Sequence, residues 1–200
     1  MTEIFLMRHG QTQWNTAKRF QGSMDIKLDD TGLQQAAKLK QRLSKVDFQA
    51  VYTSDLQRCS LTAQMIAKDR VLQVYEMEEL REVSFGHWEG QNYDLLKRDL
   101  TSGVKAWFDN PSKQIIPGGE TVEQVESRLH QVKNHIMANY MNQQVAIVTH
   151  GALLRYLLSS WLHLPYNFCW KWDIDNASIS VIRWENDIFH LQRLNDCAHL

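Results

Sequence analysis

Two short apolar runs in this chain each end on a histidine-glycine pair. Ile4-Phe5-Leu6-Met7 leads into Arg8-His9-Gly10, and Val145-Ala146-Ile147-Val148 leads into Thr149-His150-Gly151. Each run has the length and branching of a buried strand, and the glycine that follows permits a sharp backbone turn. After the second pair a helical pattern opens. Two histidines displayed at strand ends, one of them beside an arginine, suit a site that handles phosphate.

Strand and helix patterns alternate along the chain, which predicts an α/β fold. We expect a three-layer sandwich with a mostly parallel central sheet, helices on both faces, and the site at the C-terminal ends of the strands. Asp29 is placed to N-cap a helix whose Leu33, Ala36, Leu39 and Leu43 fall in one apolar arc. A second strand around Ala50-Val51-Tyr52 runs into Thr53-Ser54. Ser54 with Gln57 reads as a capping box opening the next helix, with Arg58 in its first turn. A third strand, Val71 to Tyr75, precedes Glu82.

From Gly86 to Gly119 the pattern weakens into short helical pieces and holds two of the three prolines. This stretch reads as an excursion over the strand ends, a lid or pocket wall. Thr121 with Gln124 caps the clearest helix, in which Val122, Val125, Leu129, Val132, Ile136 and Tyr140 form an apolar stripe. The strand into His150 and a helix to about Trp161 follow. Ser178 to Trp184 and Ile188 to Leu194 form a closing hairpin around Glu185-Asn186-Asp187.

With 200 residues, 44% of them hydrophobic, the chain can bury one sizeable core, so a single domain over 1–200 is expected. A net charge of −1 argues against a nucleic-acid or membrane-surface binder. No apolar run approaches membrane-spanning length, and no signal-peptide layout is present. Cys59, Cys169 and Cys197 form no CxxC pair, so neither a disulfide framework nor a zinc site is expected. The expectation is a cytoplasmic protein with free thiols. No dinucleotide loop, Walker motif or metal-ligand spacing appears, and no cofactor or metal is expected.

The polar residues of interest recur at one topological place. Arg8 and His9 follow the first strand, Arg58 the second, Glu82 the third, and His150 the strand after the long helix. In an open parallel sheet, ligands bind in the crevice beyond the carboxyl ends of the strands, so these residues have a reason to converge. His130 and His135, five apart on a helix, face different ways and read as solvated. His87 is either a pocket-side residue or a plain loop histidine. Cys59 reads as a small core residue, and Trp170 and Trp172 as core or pocket wall.

The run Arg8-His9-Gly10-Gln11-Thr12 with Asn15 resembles the histidine phosphatase superfamily, also called the phosphoglycerate mutase-like family. In family order follow Phe20-Gln21-Gly22, Leu28 to Gly32, Tyr52 to Arg58 and Leu80-Arg81-Glu82. Then come Phe85 to Gly90, Pro117 to Thr121 and Thr149-His150-Gly151. The resemblance covers essentially the whole chain, and this ordered set is far more specific than an RHG triplet. It implies that His9 attacks phosphorus and becomes a phosphohistidine, which water hydrolyses. Arg8 and Arg58 would hold the phosphoryl oxygens, His150 would be the second imidazole on them, and the Gly151 N–H would add an anion contact. Glu82 would be the general acid, with a salt-bridge role toward Arg8 or Arg58 as the alternative. Asn15, Gln21 and Gly22 would belong to the phosphate loop.

Within that family, the short chain and the run Glu82 to Gly90 look like small phosphatases such as α-ribazole phosphatase. The resemblance thus implies a metal-independent phosphomonoesterase, monomeric or homodimeric, acting on a small phosphorylated metabolite such as α-ribazole 5′-phosphate or a sugar phosphate. The alternatives are a phosphoglycerate mutase-type phosphotransferase and a non-catalytic phospho-ligand-binding module. Trp88, Tyr93, Trp107, Phe108 and Trp172 suit either an aromatic substrate group or core packing.

Overall fold

Ile4 and Leu6 pack to one side of the central sheet, Phe5 and Met7 to the other, as the two-residue period of a strand requires. Val145 and Ile147 share the first side, Ala146 and Val148 the second. All eight are buried, which is why both runs read as continuously apolar. At about 1.5–3 kcal/mol for each fully buried Val, Leu, Ile, Phe or Met side chain, these two strands are a large part of what holds the layers together.

The computed structural model describes residues 1–200. Its strands are β1 (Thr2–Arg8), β2 (Phe48–Thr53), β3 (Val74–Glu76), β4 (Gln144–Thr149), β5 (Ile179–Glu185) and β6 (Ile188–Asp196). They form one sheet in the order β3-β2-β4-β1-β5-β6. Strands β1 to β4 are mutually parallel, β5 runs antiparallel to β1, and β6 runs antiparallel to β5. Helices α2 (Asp30–Arg42) and α3 (Gln57–Ala67) cover one face through Leu39, Cys59, Ala63 and Ile66. Helices α6 (Val122–Asn139) and α7 (Gly151–Trp161) cover the other through Leu129, Val132, Leu153 and Leu157. The expected three layers are present. The short helices α1 (Gln13–Thr16), α4 (Tyr93–Arg98) and α5 (Val104–Asp109) lie in the connections.

Some helix and turn signals set the local structure directly, and others yield to contacts distant in sequence. Asp29 caps α2 through Gly32 N, and Thr121 with Gln124 forms the full capping box of α6. Asn186 and Asp187 both take left-handed backbone, as a two-residue hairpin turn demands. Ser54 does not cap α3. Its Oγ accepts from Leu56 N, while Gln57 N is satisfied by Asp25 Oδ1 at 2.8 Å, from a loop distant in sequence. Leu33 is exposed, because α2 turns its first apolar residue past the edge of the core. The third strand starts at Val74, since β2 offers only Val51 to Thr53 as partners, and Val71 is fully exposed before it. Tyr140 lies one residue beyond α6, where its hydroxyl meets that of Tyr52 at 2.9 Å.

Candidate active site

The chain leaves β1 toward α2 on one face and leaves β4 toward α7 on the other, although β1 and β4 are neighbours. Their C-terminal ends therefore splay apart and open a crevice at the switch point. Arg8 pairs in register with Thr149, so His9 and His150 emerge side by side, with His9 N bonded to Thr149 O at 2.9 Å. The rings lie edge to face at 5.2 Å. At Gly10 the loop touches the start of α2: a Cβ there would come within 2.5 Å of Gly32 O, so only glycine permits the approach.

A cavity of about 270 Å³ opens at this point. Arg8, His9, Asn15, Gln21, Arg58, Glu82 and Gly151 line it, together with Arg19, Phe20, Phe85, Tyr93, Phe108, Ala152, Arg155 and Trp170. Two of the residues singled out from sequence are not in its wall. His150 is fully buried beside Arg58 and His9. Gly22 serves through its carbonyl, which accepts from Arg58 Nη2 at 2.9 Å.

Backbone carbonyls and rings, rather than carboxylates, hold the cationic side chains. Arg58 is fully buried and donates to Gly22 O, to Met24 O at 2.7 Å, and through Nε to His150 Nδ1 at 3.2 Å. That last bond leaves the His150 proton on Nε2. Arg8 donates to Ile174 O at 2.7 Å, and its guanidinium passes over Gly151. His9 Nδ1 donates to Gly10 O at 2.6 Å, which fixes the proton there and leaves Nε2 with its lone pair free. Burial, then Arg58 and Arg8, hold His9 well below the ordinary histidine range. Burial and Arg58 do the same to His150. Both rings are neutral.

Glu82 makes no ion pair with either arginine. Its Oε1 accepts from Val83 N at 3.0 Å and Leu153 N at 2.8 Å, and its Oε2 from Ala152 N at 3.1 Å. The carboxyl thus sits at the N-terminus of α7 and occupies donors that could otherwise meet a ligand. The segment carrying it is braced. Thr149 Oγ1 donates to Leu80 O at 2.6 Å, and Arg128 Nη1 donates to Glu79 O and Arg81 O, both at 2.7 Å. Glu120 pairs with Arg128 and accepts from Ser84 N at 2.8 Å.

Glu89 links the two loops that frame the cavity. Its carboxylate accepts from Ser23 N at 3.1 Å and from Phe85 N at 3.0 Å. It fills the space a Cβ on Gly22 would need, at 2.0 Å, so Gly22 and Glu89 together set the loop whose carbonyls hold Arg58. Asn15 Oδ1 closes the capping box of α1 and also accepts from Asn176 Nδ2 at 3.2 Å. Gln21 Oε1 is buried with no partner in the protein.

The remaining candidates fall outside the cavity. His87 is exposed against Gly118, and Trp88 and Trp107 belong to the core. Trp172 is half-buried against that core. His130 and His135 are exposed, though His135 Nε2 bonds the Tyr52 hydroxyl at 2.8 Å. Cys59 is buried with Sγ 3.4 Å from both Thr149 O and His150 Nε2, and burial pushes its thiol up, so it is a packed neutral group. Arg19, Phe20, Phe85 and Arg155 were not singled out individually from sequence. Arg155 had a readable signal: it follows Gly151 by four residues, one helical turn, and so shares its face.

Comparison with known proteins places the fold in a family. The profile of the histidine phosphatase superfamily (branch 1) matches residues 4–197. Phosphoserine phosphatase 1 of Hydrogenobacter thermophilus is 30% identical over 200 residues, covering 100% of this chain and 95% of that protein. A protein of Erwinia tasmaniensis named probable phosphoglycerate mutase GpmB is 33% identical, covering 100% of this chain and 95% of its own. Among solved structures, Bacillus stearothermophilus YhfR superposes with a TM-score of 0.92 at 30% identity, covering 100% of this chain and 99% of that one. The α-ribazole phosphatase from Shigella flexneri gives 0.86 at 28% identity, covering 97% and 96%. This chain belongs to the histidine phosphatase superfamily, as its ordered motifs implied.

Proposed function

We propose that the chain hydrolyses small phosphomonoesters in this cavity through a phosphohistidine on His9. The carrying observation is the His9 ring itself: neutral, fixed by Gly10 O, and presenting the Nε2 lone pair to a cavity lined by guanidiniums. Nε2 attacks phosphorus, the P–O bond to the alcohol breaks, and Glu82 gives its proton to the departing oxygen. Water then attacks phosphorus, returns a proton to Glu82, and the P–N bond breaks to release inorganic phosphate and free His9. Arg8 and Arg58 neutralise the equatorial oxygens during both transfers. His150, buried behind the cavity wall, accepts from Arg58 through Nδ1 and so holds that guanidinium beside His9.

The relatives' names include both phosphatase and mutase, and the short segments around the cavity favour hydrolysis over retransfer. The substrate is a small phosphorylated metabolite. The test is p-nitrophenyl phosphate hydrolysis in excess EDTA with and without vanadate. Full activity in EDTA and competitive inhibition by vanadate are expected, because the arginines supply the charge stabilisation and vanadate copies the five-coordinate state. Activity that needs an added divalent ion, or that ignores vanadate, contradicts this reading.

A further inference from the structure

Of the non-glycine residues that take left-handed backbone, Ala177 alone is buried, at a φ of 56°. Alanine has no side-chain hydrogen bond to compensate for that conformation, and strain of this kind persists where the surrounding structure imposes it. Here the surroundings are the histidine loop. Ala177 N–H is shared between Arg8 O at 3.1 Å and His9 O at 3.2 Å. The residue before it, Asn176, turns its amide the same way.

Asn176 Nδ2 lies 3.1 Å from His9 O, 3.4 Å from Gly10 O and 3.2 Å from Asn15 Oδ1. Asn15 Oδ1 itself accepts from Thr12 N at 3.0 Å, so all three neighbours are acceptors and only the NH2 side of the Asn176 amide can face them. Gly10 O is the carbonyl that takes the proton of His9 Nδ1 at 2.6 Å. The Gly10 peptide is gripped on its other side too, where Gly10 N donates to Thr62 Oγ1 at 3.3 Å. Asn176 thus acts on the group that decides the tautomer and the aim of the His9 ring, although it does not line the cavity. The loop that carries it is fixed from behind. Asp175 N donates to Asn195 Oδ1 at 2.7 Å, Asn195 Nδ2 donates to Asp175 Oδ2 at 2.8 Å, and His199 Nε2 donates to Ala177 O at 3.0 Å.

We infer that Asn176 is a positioning residue for phosphoryl transfer: its amide holds the His9 and Gly10 carbonyls so that the His9 proton stays on Nδ1 and Nε2 faces phosphorus. It acts through the histidine loop and makes no contact with substrate. A displacement of about 1 Å at a nucleophile costs up to roughly 100-fold in rate, which sets the size of the effect. The inference rests on the phosphatase reading, and the experiment separates the two.

The test compares N176A, N176L and N176S with the unaltered protein, using p-nitrophenyl phosphate. Asn176 is half-buried in a loop, so the variants are expected to fold. N176L fills the space of the amide without a donor, and N176S keeps one donor in a shorter side chain. Single-turnover phosphorylation should slow by about 10- to 100-fold in N176A and N176L alike, and by less in N176S. The inhibition constant of inorganic phosphate, which the arginines set, should move by less than about threefold. Nitrogen-15 NMR of the histidine rings identifies His9 as the signal missing in His9→Ala. That ring should be the Nδ1–H tautomer in the unaltered protein and a mixture of tautomers in N176A. A normal rate in N176L would reduce Asn176 to a space filler, and equal losses of rate and phosphate affinity would make its role merely structural. Either result, or a His9 ring with its proton on Nε2 in the unaltered protein, overturns the inference while p-nitrophenyl phosphate is still cleaved. No cleavage by the unaltered protein overturns the phosphatase reading, and the inference falls with it.

Discussion

At the sheet end of the cavity, His9 and His150 each follow a strand terminus directly, and Arg8 closes one strand. Gly10 O fixes the His9 ring and Ile174 O the Arg8 guanidinium, while Gly22 O and Met24 O hold Arg58, which in turn holds the His150 ring. At the outer end, Tyr93 and Phe108 come from the short helices α4 and α5, and Trp170 from a loop. These side chains are held by other side chains: Phe108 packs on Trp107 at 5.1 Å and on Trp170 at 4.7 Å. One end is built on the rigid sheet, the other on packing alone. Chemistry that tolerates little displacement belongs at the first, and recognition that varies between relatives belongs at the second.

Replacing Glu82 tests the sheet end most severely. Glu82→Gln keeps the size and much of the hydrogen bonding but has no carboxylic proton to give. Single-turnover phosphorylation by an alkyl phosphate should slow by on the order of 10²–10⁴-fold. An aryl ester such as p-nitrophenyl phosphate, which expels a stable phenolate, should suffer far less in the same step. Equal losses would make Glu82 only the anchor of α7.

A change at the outer end should look different. Phe108→Ala removes one ring of the wall without touching His9 or the arginines. KM for esters with bulky alcohols should rise about tenfold, in line with the loss of part of an apolar pocket contact, while the vanadate inhibition constant stays put. A matching loss of vanadate affinity would show that the two ends are coupled and that the contrast drawn between them is wrong.

Much of the sheet end was readable from sequence because strand runs, glycines and motif order all converge on the switch point. His9, Arg8, Arg58 and Glu82 meet there as the topology required. What was not readable depended on contacts distant in sequence. Asp25 satisfying Gln57 N replaced the expected Ser54 cap, and Glu82 took the helix donors of Ala152 and Leu153, next to the Gly151 N–H that alone was expected to meet an anion. The outer wall was legible only as aromatic content. Whether Trp107 or Phe108 faces the cavity is decided by the packing of α5, which has six residues and no periodicity to read.

A smaller effect follows from the two buried histidines. Their folded-state affinities for protons lie well below that of an exposed histidine, so at acid pH the unfolded chain binds protons that the folded chain does not. Stability contributed by their neutral forms is present above pH ~6.5 and declines as pH falls below it, by about 1.4 kcal/mol per pH unit for each ring. Urea midpoints at pH 7.5 and 5.5 measure this. His150→Asn should flatten the dependence, and an unchanged slope would mean that the His150 ring is charged in the folded protein.

The most direct test of the central claim is to trap the phosphorylated protein. Rapid alkali quenching during turnover of a labelled phosphate ester should capture a phosphoryl group that is base-stable and is lost on later exposure to acid. Peptide mapping should place it on His9, and His9→Ala should carry no label while keeping its fold. A label on a serine, on a cysteine or on His150, or turnover surviving in His9→Ala, would contradict the account.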